Sequence, residues 1–560
     1  MKRVLLLILL LGCFFRFYNL NWDANYHLHP DERFLTMVGN SLKIPSNPID
    51  YLNPAKSTLN PANTGYKFFV YGTFPLTLNK LLAVFFNNDD YNSFTLQGRF
   101  LSAFFDLMTV ILVFKIAQLI IGKKNETTIS LLAAFFYAIS VYPIQSSHFF
   151  AVDSFQVFFS LASINFILKY FYQSRKRNPN YLILSSIFFG LSIASKISAV
   201  FLLPLILFFL LINFRKNIKK LLFITVAYLL LAVVVLRVAD PKFFTLEFIN
   251  NIKQLSSYSN PDVWYPPMVQ WLTKIPVFFS VVNLAVFGVG IPYFILVIMG
   301  MVRVISIRQS VDKNKKEDSN ATMKQWDLVF ILIWIILFFL YQSSRLVQSI
   351  RYLYILFPFF AIFAAIGMNQ LIDYGLRITP CLPAGRHSKL IRNASFVIMI
   401  IVLLIWPVMF FSIYLHPHSR VSASKWIYDN LPNQSIILGE SWDDPLPLGV
   451  TNNGKVFYIE QLPVFDPDTT KKWQKMNELL NKADYYILSS NRGWGSIPTV
   501  PEKYPLMSKF YNDLLAGKLN YKKIKEFKPY YYRFFEMPNS WVDESFTVYD
   551  HPTVMVFKKI

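Results

Sequence analysis

The chain has 560 residues, of which 54% are hydrophobic and 17% are aromatic. Its mean hydropathy is +0.37, and the apolar residues come in long unbroken runs, which is typical of a membrane protein with many crossings and excludes a large soluble core. The formal net charge is +22, but much of the lysine and arginine lies in short clusters between apolar runs. Residues placed in this way orient helices and contact anionic lipid. We therefore expect membrane lipids as partners, and no nucleic acid.

The first apolar run has two interpretations. A positively charged start followed by apolar residues up to Cys13 resembles a signal peptide, and Leu10 to Cys13 resembles a lipoprotein cleavage box. Aromatic residues continue the run past any small-residue cleavage site, which favours an uncleaved anchor. On that interpretation the N-terminus is cytoplasmic and the loop from Asn21 onward faces outward.

The positively charged clusters predict the topology. All of them can be cytoplasmic if single helices cross the membrane between the loops, except that residues 181–214 must cross an even number of times. The length of that stretch suits two short crossings with a turn near Lys196. Cys13 and Cys381 fall in the first helix and in a predicted cytoplasmic loop, so we expect no disulfide. About eleven crossings of the plasma membrane are predicted, at residues 4–20, 97–121, 128–147, 151–172, 181–197, 199–214, 220–238, 273–302, 326–343, 350–372 and 393–414.

An odd number of crossings that starts inside leaves the residues after Leu415 outside. We expect an all-α polytopic membrane domain over residues 1–415, with an outward loop at 21–96, and a small extracytoplasmic α/β domain over residues 416–560. Residues 68–86 are predicted to form an amphipathic helix along the outer interface, with an extra pair of crossings as the alternative. In the second domain the pattern predicts helices at 422–430 and 470–482, strands at 435–439 and 484–489, and strands between 546 and 558 around a turn at 550–552.

The run His29-Pro30-Asp31-Glu32 follows the first apolar run. Two adjacent carboxylates at a membrane surface indicate an active site in this loop, because no other loop has a comparable pair so near the bilayer. The alternative is structural, since acidic residues favour helix starts and a solvated pair could cap the helix after Pro30.

Further polar residues are predicted near the same face. Asp153 begins a later crossing and could be a helix N-cap, whereas Asp106 lies inside the membrane and needs a cavity or a partner. Trp264 belongs to an aromatic loop that suits sugar stacking, although an interfacial aromatic belt predicts the same residues. His27 and His29 leave a divalent cation site open, but no other cluster of ligand-type residues supports one, and we expect no required cofactor.

Several motifs in combination resemble the GT-C glycosyltransferases. The acidic pair is followed by YGTFPL at residues 71–76 and by GRFLSA at 98–103, and HFFAVD at 148–153 and RYLYILFP at 351–358 are similar to later elements of the same family. The order of the motifs over roughly residues 1–415 resembles in particular the branch that contains protein O-mannosyltransferases and the lipid A aminoarabinose transferase. The resemblance implies a GT-C fold with an outward catalytic loop.

Such an enzyme moves a sugar from a polyprenyl-phosphate carrier to a hydroxyl acceptor at the outer face of the membrane. It needs a base for the hydroxyl proton and cations for the departing phosphate. The resemblance implies that Asp31 is the base and that direct attack inverts the configuration; Glu32 could orient the acceptor or tune the pKa of Asp31. For the phosphate we expect Arg99, with simple snorkelling as its alternative, and then Arg351, Lys67 and Lys196. For the acceptor or the sugar we expect Asp153, His148 and Trp264.

Two functions from different classes are left open. The first is the glycosyltransferase, and the second is a flippase or transporter of lipid-linked sugars, in which Asp106, Lys196 and Arg99 would line a path. A carrier requires charges near the middle of the membrane, whereas the acidic residues here concentrate at one surface. An oligosaccharyltransferase is disfavoured because the soluble part lacks a Trp-Trp-Asp-Tyr-Gly motif.

Overall fold

The computed structural model describes most of the chain and contains helices up to residue 415, followed by a mixed sheet with further helices. The described residues are 1–121, 126–173, 178–260, 262, 265–311, 319–378, 386–451, 454–533 and 538–560.

The long apolar runs form helices, because a helix satisfies its own backbone hydrogen bonds where water is absent. Up to residue 415 the helices are α1 (Lys2–Phe17), α2 (Pro30–Ser41), α3 (Pro48–Leu52), α4 (Phe74–Phe85), α5 (Tyr91–Ile120), α6 (Glu126–Ala138), α7 (Val141–Ser147), α8 (Val152–Tyr172), α9 (Asn180–Ser195), α10 (Leu203–Phe214), α11 (Ile218–Ala239), α12 (Leu246–Ser257), α13 (Phe278–Val282), α14 (Ile291–Val311), α15 (Ser319–Ser343), α16 (Phe357–Ile378) and α17 (Arg386–Leu415). Short 3-10 turns lie between them at Pro61–Thr64, Ile197–Leu202, Pro241–Phe244, Pro266–Trp271 and Ile350–Leu356, with a π-helical turn at Asn283–Gly288.

Within the described ranges, 7 helices are long and apolar enough to cross a membrane, and two helix pairs bent by 55° and 117° raise that number to 9. These spans coincide with all the predicted crossings except those at 4–20 and 181–197. The two exceptions correspond to α1 and α9, which have 16 residues each and at about 1.5 Å per residue are shorter than a hydrocarbon core of about 30 Å. The chain is an integral membrane protein.

The predicted break near Lys196 is confirmed. Helix α9 ends at Ser195, Lys196 has extended backbone angles, and the next turn begins at Ile197. The predicted helix at 68–86 is confirmed only over α4, and its place along the outer interface stays a prediction.

Two glycines let α14 and α16 pack closely. A Cβ on Gly300 would lie 1.8 Å from the carbonyl oxygen of Phe363, and a Cβ on Gly367 would lie 2.2 Å from that of Leu296. Small residues at such a crossing allow backbones to touch, which is a main source of helix association in lipid. Because the turn Ile350–Leu356 directly precedes α16, this contact fixes one side of the site described below.

After Leu415 the elements are α18 (Ser419–Asn430), β1 (Ile436–Glu440), β2 (Tyr458–Leu462), α19 (Thr470–Lys482), β3 (Tyr485–Leu488), α20 (Pro505–Leu515), β4 (Tyr521–Phe527) and β5 (Val554–Lys559). The strands form a five-stranded sheet in the order β2-β1-β3-β5-β4. Strand β1 is parallel to β2 and β3, and β5 is antiparallel to β3 and β4. Helix α18 packs on one face of the sheet, and α19 and α20 pack on the other.

The predicted fold class, an all-α membrane part followed by a small α/β part, is confirmed. The two helices and two strands predicted near α18, α19, β1 and β3 are present, whereas β2, α20 and β4 were not predicted. The prediction of strands around a turn at 550–552 is wrong in its first half, since only β5 is a strand. Residues 544–546 form a 3-10 turn instead.

The reason is that residues 540–551 return to the membrane helices. Phe546 is fully buried, and its ring packs against those of Phe287 and Phe410, with centroids 5.4 Å and 5.9 Å away. The carboxylate of Asp543 accepts a hydrogen bond from the N–H of Ile350 at 3.0 Å. Asp550 accepts one from the Tyr414 hydroxyl at 2.8 Å. This C-terminal segment therefore packs as part of the helical core, and the predicted division at residue 416 stays a prediction.

Candidate active site

Asp31 and Glu32 lie in the first turn of α2, where acidic side chains interact favourably with the helix N-terminus. Pro30 occupies the first helical position, which suits its fixed φ. His29 caps the helix, because its Nδ1 accepts a hydrogen bond from the N–H of Glu32 at 3.3 Å. The helix expected after Pro30 is thus confirmed, but the acidic pair is not a solvated cap: each carboxylate is bound by an arginine from a distant part of the chain.

Arg351 joins Asp31 to Asp153. Its Nη1 donates to Oδ2 of Asp31, and its Nε donates to Oδ2 of Asp153 at 2.9 Å. The Nζ of Lys196 donates to Oδ1 of Asp153 at 2.7 Å. Four separate parts of the chain converge here, namely the starts of α2 and α8, the break after α9 and the turn before α16. Asp31 and Asp153 share one face of the membrane domain, as predicted.

The cluster is open on the side of Asp31. The side chains of Asp31 and Arg351 are 31% and 21% exposed, whereas that of Lys196 is 13% exposed and that of Asp153 is 2% exposed. A ligand can therefore contact Asp31 and Arg351 directly, while Asp153 holds the two cations from behind.

Asp31 is ionised at neutral pH. Burial is the strongest influence and acts to raise the pKa of its carboxyl group, but the opposing influences together, led by the positive charge of Arg351 and including the hydrogen bond from it, hold the pKa below its ordinary value. Burial lowers the pKa of His29 to about 4, so the neighbouring imidazole is neutral. A neutral ring is also what the helix cap requires, since an imidazolium nitrogen cannot accept a hydrogen bond.

Aromatic rings surround the charged cluster. The guanidinium of Arg351 lies 5.9 Å from the ring centroid of Tyr71, and the ammonium of Lys196 lies 5.1 Å from that of Tyr352. From the C-terminal segment, Tyr549 packs on His29 with 4.5 Å between ring centroids. Rings at these distances stabilise cations and form walls with a flat apolar face.

A second, buried cluster lies beside the first. Arg99 is 1% exposed, and its guanidinium binds Glu32 through Nε at 2.9 Å and through Nη2, Asp23 at 2.7 Å and 3.1 Å, and the carbonyl oxygen of Leu20 at 2.6 Å. These contacts use all five N–H donors of an arginine. The indole ring of Trp22 covers the guanidinium at 4.9 Å.

The buried cluster fixes the two acidic helix starts relative to each other. Glu32 also accepts a hydrogen bond from the N–H of Phe150 at 2.7 Å, and Phe150 lies just before α8. Because Glu32 follows Asp31 and Phe150 precedes Asp153 by three residues, one carboxylate ties the start of α2 to the start of α8.

Two further predicted site residues, His148 and Lys67, have contacts with other parts of the chain. His148 is fully buried, with its Nε2 3.0 Å from the carbonyl oxygen of Tyr18 and its ring stacked on Tyr414. Lys67 is exposed, and its carbonyl oxygen accepts a hydrogen bond from Asn251 at 2.8 Å. Trp264 lies outside the described residues. The predicted ligand contacts of these residues stay predictions.

The histidines near the acidic pair are engaged in other contacts. The Nε2 of His27 lies 2.8 Å from the side-chain oxygen of Asn92, and its Nδ1 lies 3.2 Å from the Thr95 hydroxyl. Across the part of the chain that the structure describes, no group of three or more His, Cys, Asp or Glu side chains is arranged to hold a metal ion.

Asp106 has a partner that the sequence analysis did not identify. Its carboxylate accepts a hydrogen bond from Nε of Arg16 at 2.5 Å and further ones from the hydroxyls of Tyr137 and Tyr354. Arg16 and Asp106 are both fully buried. The signal was present in the sequence, because an arginine inside the first apolar run also needs a partner. The sequence analysis also did not predict Asp23 or the C-terminal Tyr549 as part of the site, and the residues next to them in the sequence give no signal for either.

The comparisons with known proteins agree with this architecture. The family model for dolichyl-phosphate-mannose-protein mannosyltransferases matches residues 91–239, a range that holds Arg99, Asp153 and Lys196. A comparison with the sequences of curated proteins found no match.

Solved structures show the fold. The oligosaccharyltransferase AglB from Archaeoglobus fulgidus, in complex with an inhibitory peptide and a dolichol-phosphate, is similar with a TM-score of 0.52 at 13% identity, over 100% of this chain and 88% of that chain. The same enzyme tethered to an acceptor peptide gives a TM-score of 0.53 at 13% identity, over the same shares. ArnT from Cupriavidus metallidurans in the apo state gives a TM-score of 0.46 at 12% identity, over 99% of this chain and 97% of that chain. The chain has the GT-C fold expected from its motifs, and its family-model match agrees with the predicted resemblance to the mannosyltransferase branch.

Proposed function

We propose that the protein is an inverting glycosyltransferase that moves a sugar from a polyprenyl-phosphate carrier to a hydroxyl acceptor at the outer face of the membrane. The observation that carries the proposal is the open cluster in which Asp31 and Asp153 share Arg351. It combines an accessible carboxylate with accessible cations, on a fold whose solved examples include an enzyme bound to dolichol-phosphate.

Asp31 is the proposed base. It is ionised and partly exposed, so it can accept the proton of an acceptor hydroxyl as the oxygen attacks the anomeric carbon. A carboxylate paired with arginine is a weak base. When a donor phosphate takes over Arg351, the pairing with Asp31 weakens and its pKa rises toward the ordinary value, so the base becomes stronger only when the donor is bound.

Arg351 and Lys196 are the proposed phosphate ligands. Both contact the buried carboxylate of Asp153, which holds the two cations side by side. An arginine can bind a phosphate through two parallel N–H donors, while a lysine supplies a compact charge. The leaving group is built into the donor, so we expect the reaction to need no metal ion or other cofactor.

We propose that Arg99 positions the acidic residues around it and does not bind the phosphate of the donor. Its five donors are taken by two carboxylates and a carbonyl oxygen, so a phosphate could bind it only by displacing Glu32 or Asp23. Glu32, which is fully buried, is likewise proposed to hold Asp31 in place and not to contact the acceptor.

The carrier hypothesis has less support. It requires charged side chains along a path through the membrane, yet Asp106 and Arg16 neutralise each other in the core and are fully buried. The accessible charges described above gather at one end of the helices.

The test is transfer in lipid nanodiscs, with labelled polyprenyl-phosphate mannose, glucose and aminoarabinose as donors and a membrane fraction of the native host as the acceptor source. We expect transfer with at least one donor, and a loss of roughly 100- to 10,000-fold in the Asp31→Asn variant. Asp50→Asn, a change in the same loop, is the matched control and should leave the rate unchanged, as should a metal chelator. Movement of labelled donor between leaflets without transfer would favour the carrier. Full transfer by Asp31→Asn would remove Asp31 from its role.

A further inference from the structure

A cavity of about 280 Å³ lies between the start of α2 and the carboxyl ends of the parallel strands. Pro30 and Arg33, which flank the acidic pair, line one side, and Trp442 and Asp444, which follow β1, line another. Strand β1 lies between β2 and β3, so this edge of the sheet is a point where the strand order reverses. Open α/β sheets bind ligands at such an edge.

The carboxylates of the cavity are already neutralised. Arg420 is 1% exposed and donates to Asp443 and to Asp444, each at 2.7 Å. Arg33 donates to the other oxygen of Asp444 at 2.8 Å. Together with Arg492, three guanidiniums face two carboxylates in this lining. The lining therefore holds one more guanidinium than carboxylate, and the carboxylate of Glu544 lies 3.9 Å from Arg492 outside the lining.

Two arginines of the lining, Arg33 and Arg492, keep hydrogen-bond donors that their protein contacts do not use. The side chain of Arg33 is 40% exposed, and its contact with Asp444 uses only Nη1. Arg492 donates from Nη1 to the carbonyl oxygen of Trp442 at 2.6 Å, and its Nη2 is 3.9 Å from the Glu544 carboxylate. Its Nε has no hydrogen-bond partner within the described ranges, but that atom is itself buried, so a ligand in the cavity would bind the terminal nitrogens. Guanidiniums with unused donors bind carboxylate or phosphate groups strongly.

Trp442 gives the cavity a flat apolar surface. Its side chain is 44% exposed, and its backbone has a φ of 72°, a conformation that non-glycine residues rarely adopt. The hydrogen bond from Arg492 to its carbonyl oxygen holds that conformation. An indole face beside hydrogen-bonding arginines suits a sugar ring, which has an apolar face and polar edges.

We propose that this cavity binds the acceptor, and that the acceptor is a glycan carrying a carboxylate or a phosphate group. Trp442 stacks on a sugar ring, while Arg33 and Arg492 bind the anion. The inference rests on the proposed function and adds the class of its acceptor. Because Pro30 and Arg33 belong to the same helix start as Asp31, a glycan held here has its next hydroxyl close to the proposed base.

The test is calorimetric titration of the full-length protein in detergent with four probes: a uronic acid disaccharide, its neutral counterpart, glucose 6-phosphate and an acidic peptide. We expect one of the two anionic sugars to bind, and the neutral disaccharide to bind about tenfold more weakly or not at all. Binding of the uronic acid disaccharide would indicate recognition of a carboxylate, and binding of glucose 6-phosphate would indicate recognition of a phosphate. Trp442→Ala and Arg492→Gln should each weaken binding about tenfold. Trp541→Ala, which removes an indole of similar exposure at another site, should not.

Binding is measured without transfer, so this inference and the proposed function can fail separately. Asp31→Asn should bind the anionic sugar as tightly as the wild type even though its transfer rate is reduced roughly 100- to 10,000-fold. Binding of the peptide alone, equal binding of the neutral and anionic sugars, or unchanged affinity in Trp442→Ala would overturn the inference. Binding of no probe at concentrations of about 10 mM would overturn it as well.

Discussion

Asp31 and Asp153 accept hydrogen bonds from the same guanidinium, that of Arg351. The planar fork of an arginine can bind two carboxylates at once, whereas the single ammonium of a lysine concentrates its charge at one point. The exposed carboxylate and the buried one are therefore coupled through one side chain that also faces the open side of the cluster. Anything that draws Arg351 toward a ligand frees Asp31, while Asp153 retains its contact with Lys196.

Arg351→Lys is the most direct test of this coupling. A lysine keeps the positive charge but cannot hold both carboxylates and a phosphate, so we expect kcat/KM for the donor to fall roughly 100- to 1,000-fold. The measurement is steady-state transfer in nanodiscs over a range of donor concentrations. Arg345→Lys, at an exposed position shortly before the same turn, is the matched control. Equal losses in the two variants would mean that Arg351 has no special role.

Arg99→Ala tests the buried cluster. The change leaves Asp23 and Glu32 as buried carboxylates without a cation, which costs about 3–5 kcal/mol in the free energy of unfolding. We expect a large fall in thermal stability in detergent and, in the protein that remains folded, a lower kcat because the start of α2 is no longer fixed.

Arg99→Lys distinguishes a role of Arg99 in positioning the acidic residues from a role in binding the donor phosphate. A lysine preserves the charge but cannot make five hydrogen bonds, so the expected result is partial loss of stability together with partial loss of kcat. A raised KM for the donor with unchanged thermal stability would instead support the sequence-based prediction that Arg99 contacts the donor phosphate.

The sequence located the residues of the open cluster but not their pairing. Asp153 and Arg351 could be identified because each lies at the start of a predicted crossing, and Asp31 because its acidic pair lies in the loop after the first crossing; such positions meet at a membrane surface. Which cation binds which acid depends on how the helices approach, and a single sequence does not contain that information. The sequence therefore predicts a ligand contact for Arg99 but not the contacts of its side chain with Glu32 and Asp23. The predicted contact with the donor phosphate stays a prediction.

The C-terminal segment was mispredicted for a related reason. Alternating apolar residues between 546 and 558 are compatible with strands in a soluble domain, and β5 does form from the second half. The first half contributes Phe546 to the helical core and Tyr549 to the surroundings of His29. An apolar side chain that packs on another domain has the same local pattern as one that packs on its own sheet.

His29 should make the stability of the protein depend on pH. Burial lowers its folded pKa to about 4 from an ordinary 6.5, so the unfolded state takes up a proton first as the pH falls. The stability that the neutral ring contributes is fully present above pH 6.5 and is lost as the pH drops toward 4, by about 3 kcal/mol. His29→Asn keeps an acceptor at the N-cap and should lose less stability between pH 6.5 and 4 than the wild type in denaturant titrations. Parallel curves for the two proteins would contradict this expectation.

Glu440 should make the stability of the sheet domain depend on pH in the opposite direction to that expected from His29. Burial raises the pKa of its carboxyl group to about 7, and its Oε1 accepts hydrogen bonds from the hydroxyls of Tyr486 and Tyr511. Because the folded state favours the protonated form, the stabilising contribution is complete below about pH 4.5 and is lost as the pH rises through 7.

Glu440→Gln keeps the accepting oxygen and removes the charge. We expect the variant to exceed the wild type in the free energy of unfolding at pH 8 by about 3 kcal/mol, with a smaller difference at each lower pH down to 4.5. Glu478→Gln, an exposed change on α19 in the same domain, is the control and should leave the pH dependence unaltered. A difference between Glu440→Gln and the wild type that stays constant from pH 4.5 to 8 would show that the carboxyl group of Glu440 does not titrate in this range. The raised pKa would then have to be abandoned, because the two proteins differ at this position only in the group that can lose a proton.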